Sequence, residues 1–390
     1  MRICLVVVTF PNVSETFIIN KVAALAAKGH KVNVVCERKS HLHDVFESYK
    51  LDSSLVRVHQ LIMPQSFPSI IKTLLLHPAL FFKSFSFSAR QFKYKFKNAF
   101  YLNFFRKIKY DVIHFEFSGI GTSFLSIMDE LKGKKVVSCR GTAEKVKLQI
   151  DDNRKTALTT LFSKMDLIHC VSNDMKQTIA PYCNNSDKIF INTPAIDPSF
   201  FQPNKNSQPK DYLSILSVGR ITFVKGYIIG FLTIKELKEK GIKVQWKIIG
   251  DGPDVDQMLF HIQYLGLQKE VVLMGKRNKD EINETLDNTD VFMLTSFSEG
   301  IPNVVLEAMS KEVPVVTTRC GGVEEVIDHL KDGFIVDLYD HAALAKYITL
   351  LSDNENLRKE IGAKGREKIL DKFTLQEQAA IFEKNYKKLF

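Results

Sequence analysis

The sequence predicts an α/β protein of two domains, each a parallel β-sheet covered by helices on both faces. Three observations carry that reading. Short continuous apolar runs alternate with helical patterns, at residues 3–8, 31–36, 112–115, 135–139 and 167–171, then at 215–218, 244–249, 271–274, 291–294 and 313–317. Runs that are apolar throughout, and not at every second position, fit strands buried on both faces of a parallel sheet. Between the two sets, residues 192–210 hold Pro194, Pro198, Pro203 and Pro209 among Asn, Ser and Gln, which is a linker composition. Finally, 390 residues with 45% apolar and 25% charged content exceed one comfortable core while keeping an ordinary globular balance. The expected division is a Rossmann-like domain at 1–193, a linker at 194–210, a second such domain at 211–374 and a terminal helix at 375–390, with the two halves facing a cleft.

The chain opens with MRICLVVVTF, whose apolar run is strand length and too short for the core of a signal peptide. The six cysteines are scattered, form no C-x2-C pair and signal neither zinc nor a disulfide framework. A cytoplasmic location is the expectation. Residues 10–18, FPNVSETFI, place Ser14, Glu15 and Thr16 where they could cap a helix or face a ligand.

The formal charge is +10, and residues 53–110 hold ten Lys or Arg with no Asp or Glu. Phe67, Phe81, Phe82, Phe85, Phe87, Phe92, Phe96, Phe100, Phe104 and Phe105 are interleaved with those cations. Cations among large apolar groups suit an anionic membrane surface, and a peripheral association with the cytoplasmic leaflet is expected. The alternative is a helical excursion with phenylalanines facing the core and lysines facing water. No nucleic-acid-binding module is present, and Lys72, His77 and Pro78 break the apolar stretch 69–82 before it could span a bilayer.

In the second half, residues 296–310 read SFSEGIPNVVLEAMS and set Glu299 and Glu307 eight positions apart across a Gly300-Ile301-Pro302 turn that must open a helix at about Asn303. Open N–H groups at a helix start point at an anion. Two carboxylates and a helix terminus supply the handles a sugar nucleotide needs: sugar hydroxyls, diphosphate and ribose diol. The one Asp-x-Asp triplet, Asp254-Val255-Asp256, follows Gly252-Pro253 and reads as a helical first turn, not a metal site.

This pattern resembles the E-x7-E motif of the retaining glycosyltransferases of the GT-B fold, family 4, and four further stretches match in the same order: LSVGRITFVKG with Arg220 and Lys225, WKIIGDGP with Gly250 and Gly252, VPVVTTRCGGVEEV, and DGFIV. The resemblance implies that Arg220 and Lys225 hold the donor diphosphate, that Glu299 serves the donor sugar in catalysis, and that Glu307 serves the ribose. Gly250, Gly252, Gly300, Ile301, Pro302 and Asn303 would then shape the donor site. It implies no metal and no cofactor, because fixed cations and a helix terminus neutralise the leaving group. The terminal helix, residues 375–390, would cross back to the first domain.

For the first domain the resemblance implies an acceptor site. FPNVSETFI resembles the polysaccharide-building members, placing Ser14 and Glu15 on that side, and DVIH matches a strand ending near the sugar, with His114 either there or in the core. SCRGT puts Arg140 where many members carry histidine, so Arg140 either meets an anionic group or forms a structural salt bridge. The implied reaction moves a sugar from a nucleoside diphosphate sugar to a glycan or lipid-linked glycan in surface polysaccharide assembly. A GT-B-like epimerase and a silent sugar-nucleotide-binding scaffold are the alternatives.

Overall fold

The computed structural model describes residues 1–12, 15–40, 46–47, 49, 51–61, 75, 97, 100–204 and 210–390. They form two compact units, one of Met1–Val171, Met175–Asn192 and Ala379–Phe390, the other of Ser172–Asp174 and Thr193–Gln378.

The first unit is built on a seven-stranded sheet ordered β3-β2-β1-β4-β5-β6-β7. Its strands are β1 (Arg2–Phe10), β2 (Lys31–Lys39), β3 (Val56–Gln60), β4 (Val112–Phe115), β5 (Lys134–Cys139), β6 (Leu167–Cys170) and β7 (Ile189–Ile191). Every pairing is parallel. The second unit carries six strands ordered β10-β9-β8-β11-β12-β13, again all parallel. These are β8 (Leu213–Val218), β9 (Val244–Ile249), β10 (Val271–Gly275), β11 (Val291–Leu294), β12 (Val315–Thr318) and β13 (Phe334–Val336). The central strands β4, β6, β8, β11 and β12 are buried at every position, as sheets covered on both faces require.

All ten strands read from the sequence are present, and β3, β7 and β13 were not read as strands. Those three are the outer strands of their sheets. Edge strands are short or alternate, so they lack the long apolar run that marks a central strand. β7 and β13 have three residues each, and β3 reads Val-Arg-Val-His-Gln.

Both sheets grow in one direction and then reverse, between β1 and β4 in the first unit and between β8 and β11 in the second. At such a switch point the loops leaving two adjacent strands turn to opposite faces and leave a crevice at their carboxyl ends. The helix Leu375–Lys387 ends the fold, and its Phe382 and Tyr386 are buried in the first unit's core. Among the described residues no helix is long and apolar enough to cross a membrane.

Candidate functional site

The predicted donor residues gather at the second unit's switch point. After β8 the chain runs through Gly219 and Arg220 into a single turn, Phe223–Lys225, and then through Gly226 into the helix Tyr227–Glu239. Gly226 has φ 58°, and a Cβ there would stand 2.2 Å from the carbonyl oxygen of Thr295, so only glycine lets this loop cross the end of β11. Phe297 N donates to Val224 O at 2.7 Å, and Thr295 Oγ1 donates to Lys225 O at 2.9 Å. That stitching brings Lys225 Nζ to 2.5 Å from Glu299 Oε1, across 74 residues of sequence, and Ser296 Oγ donates to the same oxygen at 2.8 Å. Arg220 is exposed and, among the described residues, carries no ion pair or hydrogen bond on its guanidinium.

Gly250 and Gly252 stand behind this loop. A Cβ on Gly250 would lie 1.9 Å from Gly219 O, and one on Gly252 would lie 2.0 Å from Ile221 O. With Ile221 N donating to Asp251 O at 2.9 Å, the loop leaving β9 is the seat on which the Arg220 loop rests. Asp254 is the N-cap of the helix Val255–Tyr264, and Asp256 lies in its first turn.

Gly300, Ile301 and Pro302 are buried and lead into the helix Asn303–Ser310. Pro302 is the N-cap, one position before the first turn where it was expected, and Asn303 is the first helical residue. No side chain caps this helix and no acidic group occupies its first turn, so its leading N–H groups remain available. Glu307 lies in the second turn and is 9% exposed. Among the described residues, no hydrogen bond or ion pair reaches its carboxylate. Burial pushes that carboxyl up to about 7, and the Lys279 ammonium pulls in the opposite direction. The two glutamates therefore differ: Glu299 is clamped between Lys225 and Ser296, and Glu307 is a buried acceptor that no donor among the described residues reaches.

The first unit places its predicted residues differently. Ser14 lies outside the described residues. Glu15 is the N-cap of the helix Thr16–Ala27 but makes no capping hydrogen bond with its side chain. Burial raises its carboxyl, against the pull of Arg140. His114 has the core position that was one of its two readings. Its ring is fully buried in β4, with Nε2 2.7 Å from Ser138 Oγ and Nδ1 2.6 Å from the Tyr386 hydroxyl and 2.9 Å from Lys21 Nζ. Arg140 follows the salt-bridge reading: its Nη2 donates to Glu116 Oε2 at 2.6 Å, its Nε to Glu116 O at 3.1 Å, and its guanidinium lies 4.4 Å from the Phe17 ring centroid.

These contacts form one chain whose proton positions can be deduced. His169 Nε2 lies 2.8 Å from Asn192 O, and since a carbonyl only accepts, that nitrogen carries the proton. Burial drives both His169 and His114 well below the ordinary histidine range, so each ring is neutral. His169 Nδ1 must then accept from Ser138, 2.8 Å away. Ser138 Oγ accepts from His114 Nε2, and His114 Nδ1 accepts from Tyr386 and Lys21. Beyond Lys21, Glu116 takes Lys21 on one oxygen at 2.5 Å and Arg140 on the other. Burial would raise the Glu116 carboxyl, but the two cations hold it below its usual value. Burial brings Lys21 down to about 8 against the pull of Glu116. Lys21, Glu116, Ser138, His169 and Tyr386 were not singled out from sequence. Glu116, Ser138 and His169 lie in apolar stretches, Lys21 and Tyr386 lie in helices, and only the fold brings them together.

Most of the basic, phenylalanine-rich segment 53–110 lies outside the described residues. Where it is described, Phe100 and Phe105 are buried in the core, and Lys97 pairs with Glu37 at 2.5 Å. The two phenylalanines follow the core-facing alternative.

A GT-B pair of Rossmann-like units, with paired cations and glutamates at the second unit's switch point, defines a sugar transferase. The chain belongs to the family 4 glycosyltransferases: the model for Glycosyltransferase Family 4 matches residues 14–200 and that for Glycosyl transferases group 1 matches residues 199–368. Its relatives include the amylovoran biosynthesis glycosyltransferase AmsK of Erwinia amylovora, 27% identical with 91% of each chain covered. Another, assigned to colanic acid biosynthesis in Salmonella typhimurium (WcaL), is 27% identical over 96% of this chain and 97% of its own. Among solved structures the fold is shared with Anabaena HepE in complex with UDP and glucose, at a TM-score of 0.76 and 14% identity over 98% of each chain. It is shared also with sucrose-phosphate synthase of Thermosynechococcus elongatus, at 0.80 and 16% identity over 100% of this chain and 99% of that one.

Proposed function

We propose that this glycosyltransferase moves a sugar from a nucleoside diphosphate sugar to a glycan or lipid-linked glycan in surface polysaccharide assembly, with retention of anomeric configuration and without a metal. The observation that carries the donor half of the reading is the Lys225–Glu299 pair beside an exposed Arg220 and an uncapped helix start. Arg220 and Lys225 take the diphosphate together with the open N–H groups before Val305. Glu299, paired with Lys225, receives donor sugar hydroxyls, and Glu307 receives the ribose diol.

In the transfer, the bond between the anomeric carbon and the diphosphate oxygen breaks, and the leaving oxygen keeps the electron pair. Charge grows on the diphosphate, so fixed cations stabilise the transition state more than the ground state. The acceptor hydroxyl bonds to the same face of the anomeric carbon and passes its proton to the departing phosphate oxygen. The reading uses no protein nucleophile.

Resemblance to AmsK and WcaL supports a polysaccharide setting, and HepE, which binds UDP and glucose, supports a nucleotide-sugar donor. The basic segment 53–110 supports attachment to an anionic membrane surface on the cytoplasmic side. The test is donor turnover in Arg220→Ala and Lys225→Ala. Each loses about 2 to 4 kcal/mol of barrier stabilisation with little change in folding, by analogy with oxyanion donors. Turnover within about threefold of wild type at saturating donor sinks the assignment.

A further inference from the structure

A pyranose ring presents C–H groups on its broad faces and hydroxyls round its rim, so an open aromatic face with a polar tip suits it. Tyr339 is such a face. It lies in the loop between β13 and the helix His341–Asp353, at the carboxyl edge of the second sheet, and is 66% exposed. Its ring lies over that of Phe297, with centroids 5.0 Å apart and planes inclined at 32°. Phe297 is partly buried against the second unit's core, and its Cε1 stands 3.2 Å from where a Cβ on Gly226 would be. Phe297 is the stem and Tyr339 the face it holds up.

A single exposed tyrosine is ordinary, but two observations set this one apart. The first is its backbone. Its φ is 68°, a left-handed conformation that bulky residues rarely adopt and that persists only where the surroundings impose it. Here both flanks are anchored. On one side Arg319 Nε donates to Asp337 Oδ1 at 3.2 Å, while Nη1 of the same guanidinium pairs with Glu324. On the other, Asp340 Oδ1 caps the next helix by accepting from Ala343 N at 2.8 Å. Asp340 N donates to Asp337 O at 3.3 Å, and His341 N to Tyr339 O at 3.0 Å. The second observation is position. Phe297 lies two residues before Glu299, and its N–H donates at 2.7 Å to the carbonyl of Val224, the residue before Lys225. The stem therefore adjoins both members of the Lys225–Glu299 pair, whereas Glu307 lies further along the chain, inside the helix Asn303–Ser310.

We propose that the exposed face of Tyr339 is a carbohydrate subsite on the second unit, where a pyranose ring of the acceptor glycan stacks on the phenol ring and meets its hydroxyl at the rim. This rests on the reading that Lys225 and Glu299 serve the donor sugar. On that reading the donor runs from its sugar at Glu299 to its ribose at Glu307. A ring held at the Glu299 end then lies beyond the transferred sugar, where the acceptor arrives, and away from the base.

The experiment has two arms on the full chain. Saturation-transfer NMR in excess UDP measures binding of two neutral probes, a glucotetraose and a galactotetraose, and calorimetry measures binding of UDP-glucose and GDP-mannose. Wild type binds at least one tetraose. Tyr339→Asn, whose new side chain suits a left-handed backbone and so keeps the fold, weakens that binding about fivefold to tenfold and leaves nucleotide-sugar affinity within about twofold. Tyr339→Phe, which keeps the ring, stays within about twofold of wild type for the tetraose. Phe260→Ala, which removes a comparably exposed ring from the helix Val255–Tyr264, changes neither arm. The proposal is overturned if wild type binds neither tetraose, or if Tyr339→Asn binds within about twofold of wild type. It is overturned equally if Tyr339→Phe falls as far as Tyr339→Asn, or if Phe260→Ala does. Loss of nucleotide-sugar affinity in Tyr339→Asn as large as the loss for tetraose makes the ring a base-stacking residue and also overturns it. Failure of the wild type to bind either nucleotide sugar defeats the donor-site reading instead.

Discussion

Replacing Glu307 with Gln should stabilise the second unit in alkali while weakening its hold on nucleotide. The folded-state value of about 7 lies above the ordinary 4.5 because burial disfavours the charged form. For an acid raised in this way, the folded state holds the proton more tightly than the unfolded chain. Stability is therefore greatest at low pH and falls as pH rises between the unfolded and folded values, here from 4.5 to about 7. Integrating the two titrations between about pH 5 and about pH 8 gives a loss of roughly 2 to 3 kcal/mol for the wild type, which glutamine cannot share because it does not ionise. The desolvated amide has a cost of its own, but that cost is independent of pH and cancels when the variant–wild-type difference is compared at two pH values. Trp246 is the only tryptophan and lies wholly buried in the second unit, so its fluorescence during urea unfolding reports this unit alone. The variant's advantage should be larger at about pH 8 than at about pH 5 by roughly 2 to 3 kcal/mol. A difference that is the same at both, within about 0.5 kcal/mol, refutes the claim that Glu307 is a strained buried carboxylate.

The polar chain through the first unit sets an order of costs. Ser138→Ala leaves His169 Nδ1 without a donor and His114 Nε2 without an acceptor, for a loss of about 2 to 4 kcal/mol, whereas Tyr386→Phe leaves Lys21 still donating to His114 and costs about 1 kcal/mol. Calorimetric unfolding ranks the two, and a larger loss for Tyr386→Phe contradicts the deduced proton positions. For the basic segment, Lys93→Glu with Lys95→Glu, sparing Lys97 because it pairs with Glu37, should abolish flotation with anionic vesicles and leave nucleotide binding intact. Equal binding of the wild type to neutral and anionic vesicles, or to neither, returns the whole segment to the core-facing account.

The parts of this fold legible in sequence are those whose cause is local. A central parallel strand is buried on both faces whichever neighbours it has, so β4 and β9 were read with their true ends, and the E-x7-E spacing placed Glu299 and Glu307 around a helix start. The illegible parts depend on distant partners. His114 is a core residue because Tyr386, 272 positions away, donates to it, and nothing in Asp-Val-Ile-His announces that partner. Lys279 sits in a charged stretch, KRNKDE, where every residue looks solvated, and only the fold sets its ammonium 4.0 Å from the Phe200 ring centroid. Gly250 and Gly252 read as shaping the donor site, and only the fold shows that their missing side chains make room for the carbonyls of Gly219 and Ile221.

The central claim, a sugar transferred by fixed cations and paired glutamates with no metal and no change of anomeric configuration, is tested most directly by proton NMR of the glycoside formed in the presence of excess chelator. With a donor the enzyme turns over, such as UDP-glucose if accepted, the first product resonances should carry the coupling of the donor's own anomer, at a rate unaffected by the chelator. A product of inverted configuration, or activity lost in chelator and restored by magnesium or manganese, would contradict the account.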